Sequence, residues 1–343
     1  MAGPVPRHYV LTAQMDAFVS KASILHLPTI IDGATGTGKS LLAALIHVGG
    51  AREAGPYVDV GCANLPVELA DALLFGAKRG TWTGLHEDRE GYVQDADRGT
   101  LVLNDVDTLR WEVQGKLLGL LDTGRYRRVG GRKDRRADLR IIATTNHDPE
   151  KLVADRELRA DLYGRLATLR FTCPALAARQ DLPEVSEAVL RNLWDDLVRL
   201  NGGTAPWTGP PSLTPDALEV IEDHDFWPTG FRGLMSILAE CVAGTEGGTI
   251  NAQTVSSALD KHRRMWKKLK VDGAAAPQRP PYRREGRKEE EERKIRETLH
   301  RTGGNVAKAA RELGMARSTL HSKLNEYRIS PDDSRDWPPE WAP

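Results

Sequence analysis

The sequence predicts an α/β fold, a parallel sheet wrapped by helices, followed by helical units. Three observations carry that prediction. Apolar runs of strand length alternate with helical patterns between Pro28 and about Phe171. The first run, Pro28-Thr29-Ile30-Ile31, leads into Gly33-Ala34-Thr35-Gly36-Thr37-Gly38-Lys39-Ser40, which fits the phosphate-binding pattern G-x-x-x-x-G-K-[ST]. From about Pro174 the strand signal fades and helical periodicity takes over.

Taken in order, residues 1–27 read as a helical lead-in, with Met15, Phe18, Val19 and Ile24 available to pack. Residues 28–173 form the α/β domain, with strands expected at Ile30-Ile31, Tyr57–Val60, Leu101–Leu103, Leu139–Ala143 and Leu169–Phe171. Ligands of such sheets sit at the carboxyl ends of the strands, where the glycine-rich loop lies. Glycines let several backbone N–H groups turn inward at the positive end of the helix that starts at Leu41, where an anion is stabilised. Gly33, Gly36, Thr37, Gly38, Lys39, Ser40 and Leu41 are therefore the candidate ATP contacts. Lys39 would reach the β- and γ-phosphates, and the Ser40 hydroxyl would hold Mg²⁺. A ligand-free strand-to-helix turn is the plainer alternative.

Residues 174–269 read as an α-helical domain with apolar faces at Val185, Val189, Leu190 and Leu193, at Leu218, Val220 and Ile221, and at Leu234, Ile237, Leu238 and Cys241. A Gly/Pro-rich insert, Asn201 to Pro211, is expected as a surface loop. Residues 270–294, rich in Ala, Pro and alternating Arg, Lys and Glu, cannot bury a core and read as a charged linker. Residues 295–329 carry three short helical patterns: Ile295 with Leu299, Val306 with Ala309, Ala310 and Leu313, and Leu320 with Leu324 and Tyr327. Gly314 ends the second where the chain must turn, the geometry of a helix-turn-helix. Its third helix would present Arg317, Ser318, Thr319, His321, Ser322 and Lys323 to double-stranded DNA. A trihelical protein-docking module is the alternative. Residues 330–343 form a tail.

Lys plus Arg and Asp plus Glu both total 48, so the chain is formally neutral, but the charge is unevenly placed. Residues 261–330 hold 20 basic and 9 acidic side chains, which puts any polyanion-binding surface at that end. The 3 cysteines, Cys62, Cys173 and Cys241, have no metal-ligand spacing and suit a reducing cytoplasm as buried apolar residues. No apolar run reaches the length of a membrane span, so a soluble, cytoplasmic protein without membrane partners is expected.

Several stretches together resemble bacterial enhancer-binding proteins, the AAA+ activators of sigma-54 RNA polymerase. After the phosphate loop come Leu74-Phe75-Gly76 and then Gly80-Thr81-Trp82-Thr83-Gly84-Leu85, similar to the family's GAFTGA partner loop. Gly99-Thr100-Leu101-Val102-Leu103-Asn104-Asp105 is similar to its Walker B strand, Lys116-Leu117-Leu118 and Arg128-Val129-Gly130-Gly131 follow, and Ala143-Thr144-Thr145-Asn146 matches sensor I. Arg159 to Leu166 resembles the arginine-finger helix, Trp227 to Leu234 the sensor II segment, and Thr302-Gly303-Gly304-Asn305-Val306 opens a helix-turn-helix like that of Fis-type domains.

The resemblance implies an AAA+ P-loop ATPase with a helical lid, assembled as a ring, hexameric in the family, with ATP at subunit boundaries. Arg159 and Arg165 would reach a neighbour's site and stabilise charge on the γ-phosphoryl. Arg232 would contact nucleotide from the lid, and Asn146 and Asp105 would serve the attacking water. The loop Gly80–Leu85 would touch RNA polymerase holoenzyme carrying sigma-54. Only 27 residues precede the first strand, so no receiver or sensing domain is expected there.

Departures from the pattern matter. Asn104-Asp105 replaces the family's Asp-Glu pair, so Asn104 offers Mg²⁺ an uncharged oxygen and Asp105 is one methylene shorter than the usual base. Gly61 stands where the family carries an Asn that restrains that base. Thr81 and Leu85 replace two alanines of the partner loop. These departures leave three readings open: a working motor, a nucleotide-gated DNA-binding switch with little hydrolysis, and a remodelling ATPase whose client is not the polymerase.

Overall fold

The computed structural model describes residues 5–81, 86–204, 207–224, 226, 229–245, 247–268, 292–293, 295–313, 320, 323–324, 327 and 329–330. Its contacts divide the chain into two units, 1–276 and 277–343.

In the first unit, seven described strands precede the lid: β1 (Thr29–Asp32), β2 (Tyr57–Gly61), β3 (Thr100–Asn104), β4 (Arg125–Tyr126), β5 (Arg135–Arg136), β6 (Arg140–Thr145) and β7 (Leu169–Thr172), with helices α1 (Ala13–Leu25), α2 (Lys39–Val48), α3 (Ala70–Phe75), α4 (Tyr92–Asp95), α5 (Trp111–Thr123), α6 (Pro149–Ala154) and α7 (Ala160–Leu166) before and between them. Five of them form one parallel sheet in the order β2-β3-β6-β1-β7, while β4 and β5 pair as a small antiparallel hairpin. Every residue of β1 and β6 is buried, because helices cover both faces and no strand there can alternate with a wet side. The faces divide neighbouring residues between two cores. Ile30, Leu101, Leu103, Ile141 and Ala143 pack with Val113, Leu117 and Leu162 from helices α5 (Trp111–Thr123) and α7 (Ala160–Leu166). Ile31, Val102 and Ile142 point the other way, onto Met15, Ala22, Leu42 and Ile46 of helices α1 (Ala13–Leu25) and α2 (Lys39–Val48). The expected α/β class is borne out.

Helix α1 starts at the Thr12 cap, whose hydroxyl accepts from the Met15 N–H at 3.2 Å. Phe18 stacks on Phe171 with centroids 4.7 Å apart. Ile24 does not pack as expected: it is 77% exposed, because it falls on the outer face of the last turn.

The lid is built from α8 (Leu182–Leu200), α9 (Pro215–Glu222), α10 (Gly230–Ala243) and α11 (Ala252–Lys268), packed around Val189, Ile221, Leu234, Ile237, Cys241 and Leu259. Two short segments, β8 (Ser212–Leu213) and β9 (Thr249–Ile250), pair in parallel beside them. The insert expected as a surface loop keeps residues 201–204, 208 and 210 exposed, and Trp207 pins it by packing on this core and stacking on Trp194 at 5.8 Å. A large aromatic gains more from burial than a loop loses by being pinned.

In the second unit, Ile295, Leu299, Ala309, Ala310, Leu320, Leu324 and Ile329 share one small core. The helix Val306–Glu312 begins at Asn305, whose side chain accepts from the Lys308 N–H at 3.1 Å, after a turn in which Gly303 and Gly304 hold φ of +62° and +81°. Among the described residues, no helix is long and apolar enough to cross a membrane.

Candidate functional site

The glycine-rich loop connects β1 to α2 and takes a shape that only glycine adopts readily. Gly33, Gly36 and Gly38 hold φ of +141°, +73° and +98°. A Cβ on Gly38 would meet nothing within 4 Å, so open space lies there, whereas a Cβ on Gly36 would come 2.2 Å from the Thr229 carbonyl oxygen. The lid rests on the loop at that point: the Phe231 N–H, in the first turn of α10, donates to the Gly36 carbonyl at 2.7 Å. Thr37 closes the loop by donating its hydroxyl to the Ala34 carbonyl at 2.9 Å.

Lys39 is buried and donates all three N–H bonds, to the Gly33 carbonyl at 2.6 Å, the Ala34 carbonyl at 3.0 Å and Asn146 Oδ1 at 2.8 Å. Burial pushes its ammonium below the ordinary lysine range; Cys173 and Asp105 oppose this, Arg232 adds to it, and Asp32 opposes it. An ammonium kept on backbone carbonyls in a partly dehydrated pocket is poised to exchange them for an anion. Ser40 follows it on the first turn of α2, and Leu41 continues that helix.

The end of β6 reaches this loop and links it to the end of β3. Asn146, just past β6, donates Nδ2 to Asp105 Oδ1 at 2.5 Å while its oxygen accepts from Lys39. Asp105, just past β3, holds φ +54° and ψ +52°. For a residue with a Cβ that conformation costs about 1 kcal/mol or more, a strain that concentrates at functional positions. Asn104 makes two side-chain bonds: its Oδ1 accepts from the Thr144 hydroxyl at 3.0 Å, and its Nδ2 donates to Asp59 Oδ1. Partial burial raises the Asp59 carboxyl above its ordinary range, and the Asn104 bond opposes the rise. Gly61 lies opposite Asn104 in the β2–β3 register, and a Cβ there would come 2.7 Å from Asn64 Nδ2.

Among the described residues, no cluster of three or more His, Cys, Asp or Glu side chains forms a ready-made metal site. The donors that are present, the Ser40 hydroxyl, the Asn104 amide oxygen and Asp105, suit a hard cation that brings its own oxygen ligands, as Mg²⁺ on phosphates does. The residues fit that ion.

The two candidate finger arginines pair with carboxylates of this chain. Arg159, at the N-cap of α7, lies over the Trp111 ring at 5.1 Å and binds Asp161 with Nε at 3.0 Å and Nη2 at 2.7 Å. That pairing holds the Asp161 carboxyl down at about 2. Arg165 Nε lies 2.7 Å from Asp122, with 62% of its side chain exposed. Both carboxylate partners belong to the same chain, and they hold both guanidinium groups on it. Arg232 is exposed on the first turn of α10.

Gly80 and Thr81 begin the candidate partner loop; Trp82, Thr83, Gly84 and Leu85 lie outside the described residues. The neck of the loop is braced. Asp88 accepts from the Arg79 N–H at 3.0 Å and pairs with Lys78 at 2.5 Å and Arg128 at 3.2 Å, while Glu90 pairs with Arg128 and, at 2.5 Å, with Arg135. Of the candidate DNA contacts, Lys323 is described, between the buried Leu320 and Leu324, and Arg317, Ser318, Thr319, His321 and Ser322 lie outside.

Sequence reasoning passed over Asp59, Thr144 and the brace around Arg128. The available signal for Asp59 was an acidic residue inside an otherwise apolar strand. The brace had none, because it joins residues 38 to 45 positions apart.

Residues 9–172 match the model of the sigma-54 interaction domain, and residues 286–327 that of the bacterial regulatory protein, Fis family. The chain is 32% identical over 312 residues to the transcriptional activator RocR of Bacillus subtilis, covering 89% of this chain and 64% of RocR. It is 30% identical over 319 residues to the regulatory protein AtoC of Escherichia coli, covering 92% of this chain and 65% of AtoC. The chain thus spans less than two thirds of these relatives. NtrX from Brucella abortus, solved in complex with ATP, is 26% identical with a TM-score of 0.63, covering 94% of this chain and 70% of NtrX.

Proposed function

The chain belongs to the bacterial enhancer-binding family, with a sigma-54 interaction domain and a Fis-type helix-turn-helix, and from that premise we propose that it is a DNA-binding AAA+ regulator that uses ATP to act on sigma-54 RNA polymerase holoenzyme. The observation that carries the reading is the single chain of contacts from Lys39 through Asn146 to Asp105, set under a lid that touches the phosphate loop. Those are the groups that phosphoryl transfer needs: a cation on the phosphates, a carboxylate for the water, and an amide that holds both in line.

On this reading Lys39 would exchange the Gly33 and Ala34 carbonyls for phosphate oxygens, and the Ser40 hydroxyl and Asn104 oxygen would hold Mg²⁺, which would supply charge neutralisation. Asp105 takes a proton from the attacking water, with Asn146 fixing its rotamer. Arg232 senses phosphate from the lid, so the lid angle follows nucleotide state. Subunits associate into a ring, in which Arg159 and Arg165 exchange Asp161 and Asp122 for a neighbour's γ-phosphoryl. ATP state moves the loop Gly80–Leu85 (Gly80, Thr81, Trp82, Thr83, Gly84, Leu85) against the holoenzyme, and residues 295–329 bind double-stranded DNA through Arg317, Ser318, Thr319, His321, Ser322 and Lys323.

Steady-state ATP turnover over a range of protein concentrations tests this, with Arg165→Ala as control. Turnover should rise with concentration and collapse in the control; turnover independent of concentration would refute shared sites. Asn104 and Gly61 favour a second reading, a nucleotide-gated DNA-binding switch. It requires nucleotide binding without turnover and DNA affinity that changes between ADP and ATP.

A further inference from the structure

Strand β2 carries one acidic side chain in its run, Asp59, two positions before Gly61. Asp59 pairs in register with Val102 and Gly61 with Asn104, so Asp59 and Asn104 share a face of the sheet on a diagonal. Their side chains meet, Asn104 Nδ2 donating to Asp59 Oδ1. A carboxylate only accepts, so the end of the amide that faces Asp59 must be the NH₂ end. The oxygen is thereby turned to Thr144 on β6, the strand that lies between β3 and the strand leading into the phosphate loop. The charge that an aspartate at position 104 would have carried is present after all, one strand further out.

We propose that Asp59 is the positioning residue of the divalent-cation site: it supplies the displaced carboxylate charge and locks Asn104 with its oxygen towards the phosphate loop. The assignment rests on the reading of that loop as a Mg²⁺–nucleotide site. It makes positions 59 and 104 interdependent. An aspartate at 104 has no N–H to donate, so it would lose the bond to Asp59 that orients the side chain. Asn104→Asp alone therefore cannot improve the site, whereas exchanging the two residues can.

The measurement is the affinity for a fluorescent ADP analogue in EDTA and again in saturating Mn²⁺, the ratio reporting cation coupling independently of turnover. In Asp59→Asn the EDTA affinity should stay at the wild-type value while the Mn²⁺ enhancement falls about tenfold, the usual size for losing an outer partner of a metal ligand. Asn104→Asp should also fall below wild type, and the exchange variant Asp59→Asn/Asn104→Asp should regain the wild-type enhancement. Asp59→Ser, which keeps an acceptor without the charge, should fail as Asp59→Asn does, and covers the case in which the latter does not fold. Full Mn²⁺ enhancement in folded Asp59→Asn or Asp59→Ser, or a gain in Asn104→Asp, overturns the assignment. Lys39→Ala separates the premise: wild-type nucleotide affinity in that variant would refute the nucleotide site itself.

Discussion

Replacing Gly230 by alanine tests whether lid and phosphate loop are held together backbone to backbone. Gly230 holds φ +53°, and a Cβ there would lie 2.7 Å from both the Thr35 and the Gly36 carbonyl oxygens. Neither oxygen can swing aside, since each belongs to the loop's main chain. Alanine in this left-handed conformation costs about 1 kcal/mol more than glycine. Relief of the clash requires the start of α10 to lift, which breaks the 2.7 Å bond from the Phe231 N–H to the Gly36 carbonyl, another ~1 kcal/mol. The sum, about 2 kcal/mol, corresponds to a fall in unfolding midpoint of roughly 4–8 °C for a domain of this size. Circular dichroism melts of the full chain read it directly. Asparagine tolerates the left-handed conformation but carries the same Cβ, so Gly230→Asn should recover about 1 kcal/mol and no more. A midpoint unchanged in Gly230→Ala would refute the account of the contact.

Four further expectations rest on other contacts. Lys39→Ala removes three hydrogen bonds and the charge, and should weaken ATP binding by at least about tenfold, from charge-assisted bonds of ~1.5–3 kcal/mol, as read by equilibrium fluorescence. Arg128→Ala unpins the neck of the partner loop; because Asp88 and Glu90 are partly hydrated the stability cost should be only about 1 kcal/mol, but proteolysis between residues 78 and 90 should accelerate. His47 is buried, with its ring nitrogen 2.9 Å from the Thr100 hydroxyl, and burial followed by the nearby Arg140 lowers its pKa; burial lowers that of His262 as well. The unfolded chain then takes up these protons first as pH falls below about 6.5, so stability should drop from pH 7.5 to 5.5 and His47→Gln/His262→Gln should flatten the slope of the melting midpoint. Leu299→Ala opens a cavity in the second unit's core at a cost of about 2–4 kcal/mol, and should abolish retention of double-stranded DNA while leaving nucleotide affinity intact.

Features with local causes were legible in the sequence. The phosphate loop is spelled by glycines that must hold positive φ and by a lysine at a set distance from them, all within eight residues, Gly33 to Ser40. The sheet strands were legible because both faces are covered, which leaves runs such as Leu101-Val102-Leu103 apolar throughout. The second unit's core showed as helical spacing in Val306, Ala309, Ala310 and Leu313. Tertiary structure decided the rest, because those contacts join residues distant in the chain. Parallel register brings Asp59 beside Asn104 across 45 positions, and no pattern within either strand encodes that pairing. Folding of the lid over the loop sets Thr229 and Gly230 against Gly36, nearly two hundred residues away, where two backbones approach too closely for any side chain. Burial also worked residue by residue: the Pro- and Gly-rich insert keeps Trp207 because Trp194 and the lid core offer it a dry face, while Ile24, helical and apolar, is left in water because it falls on the outer face of the last turn of α1.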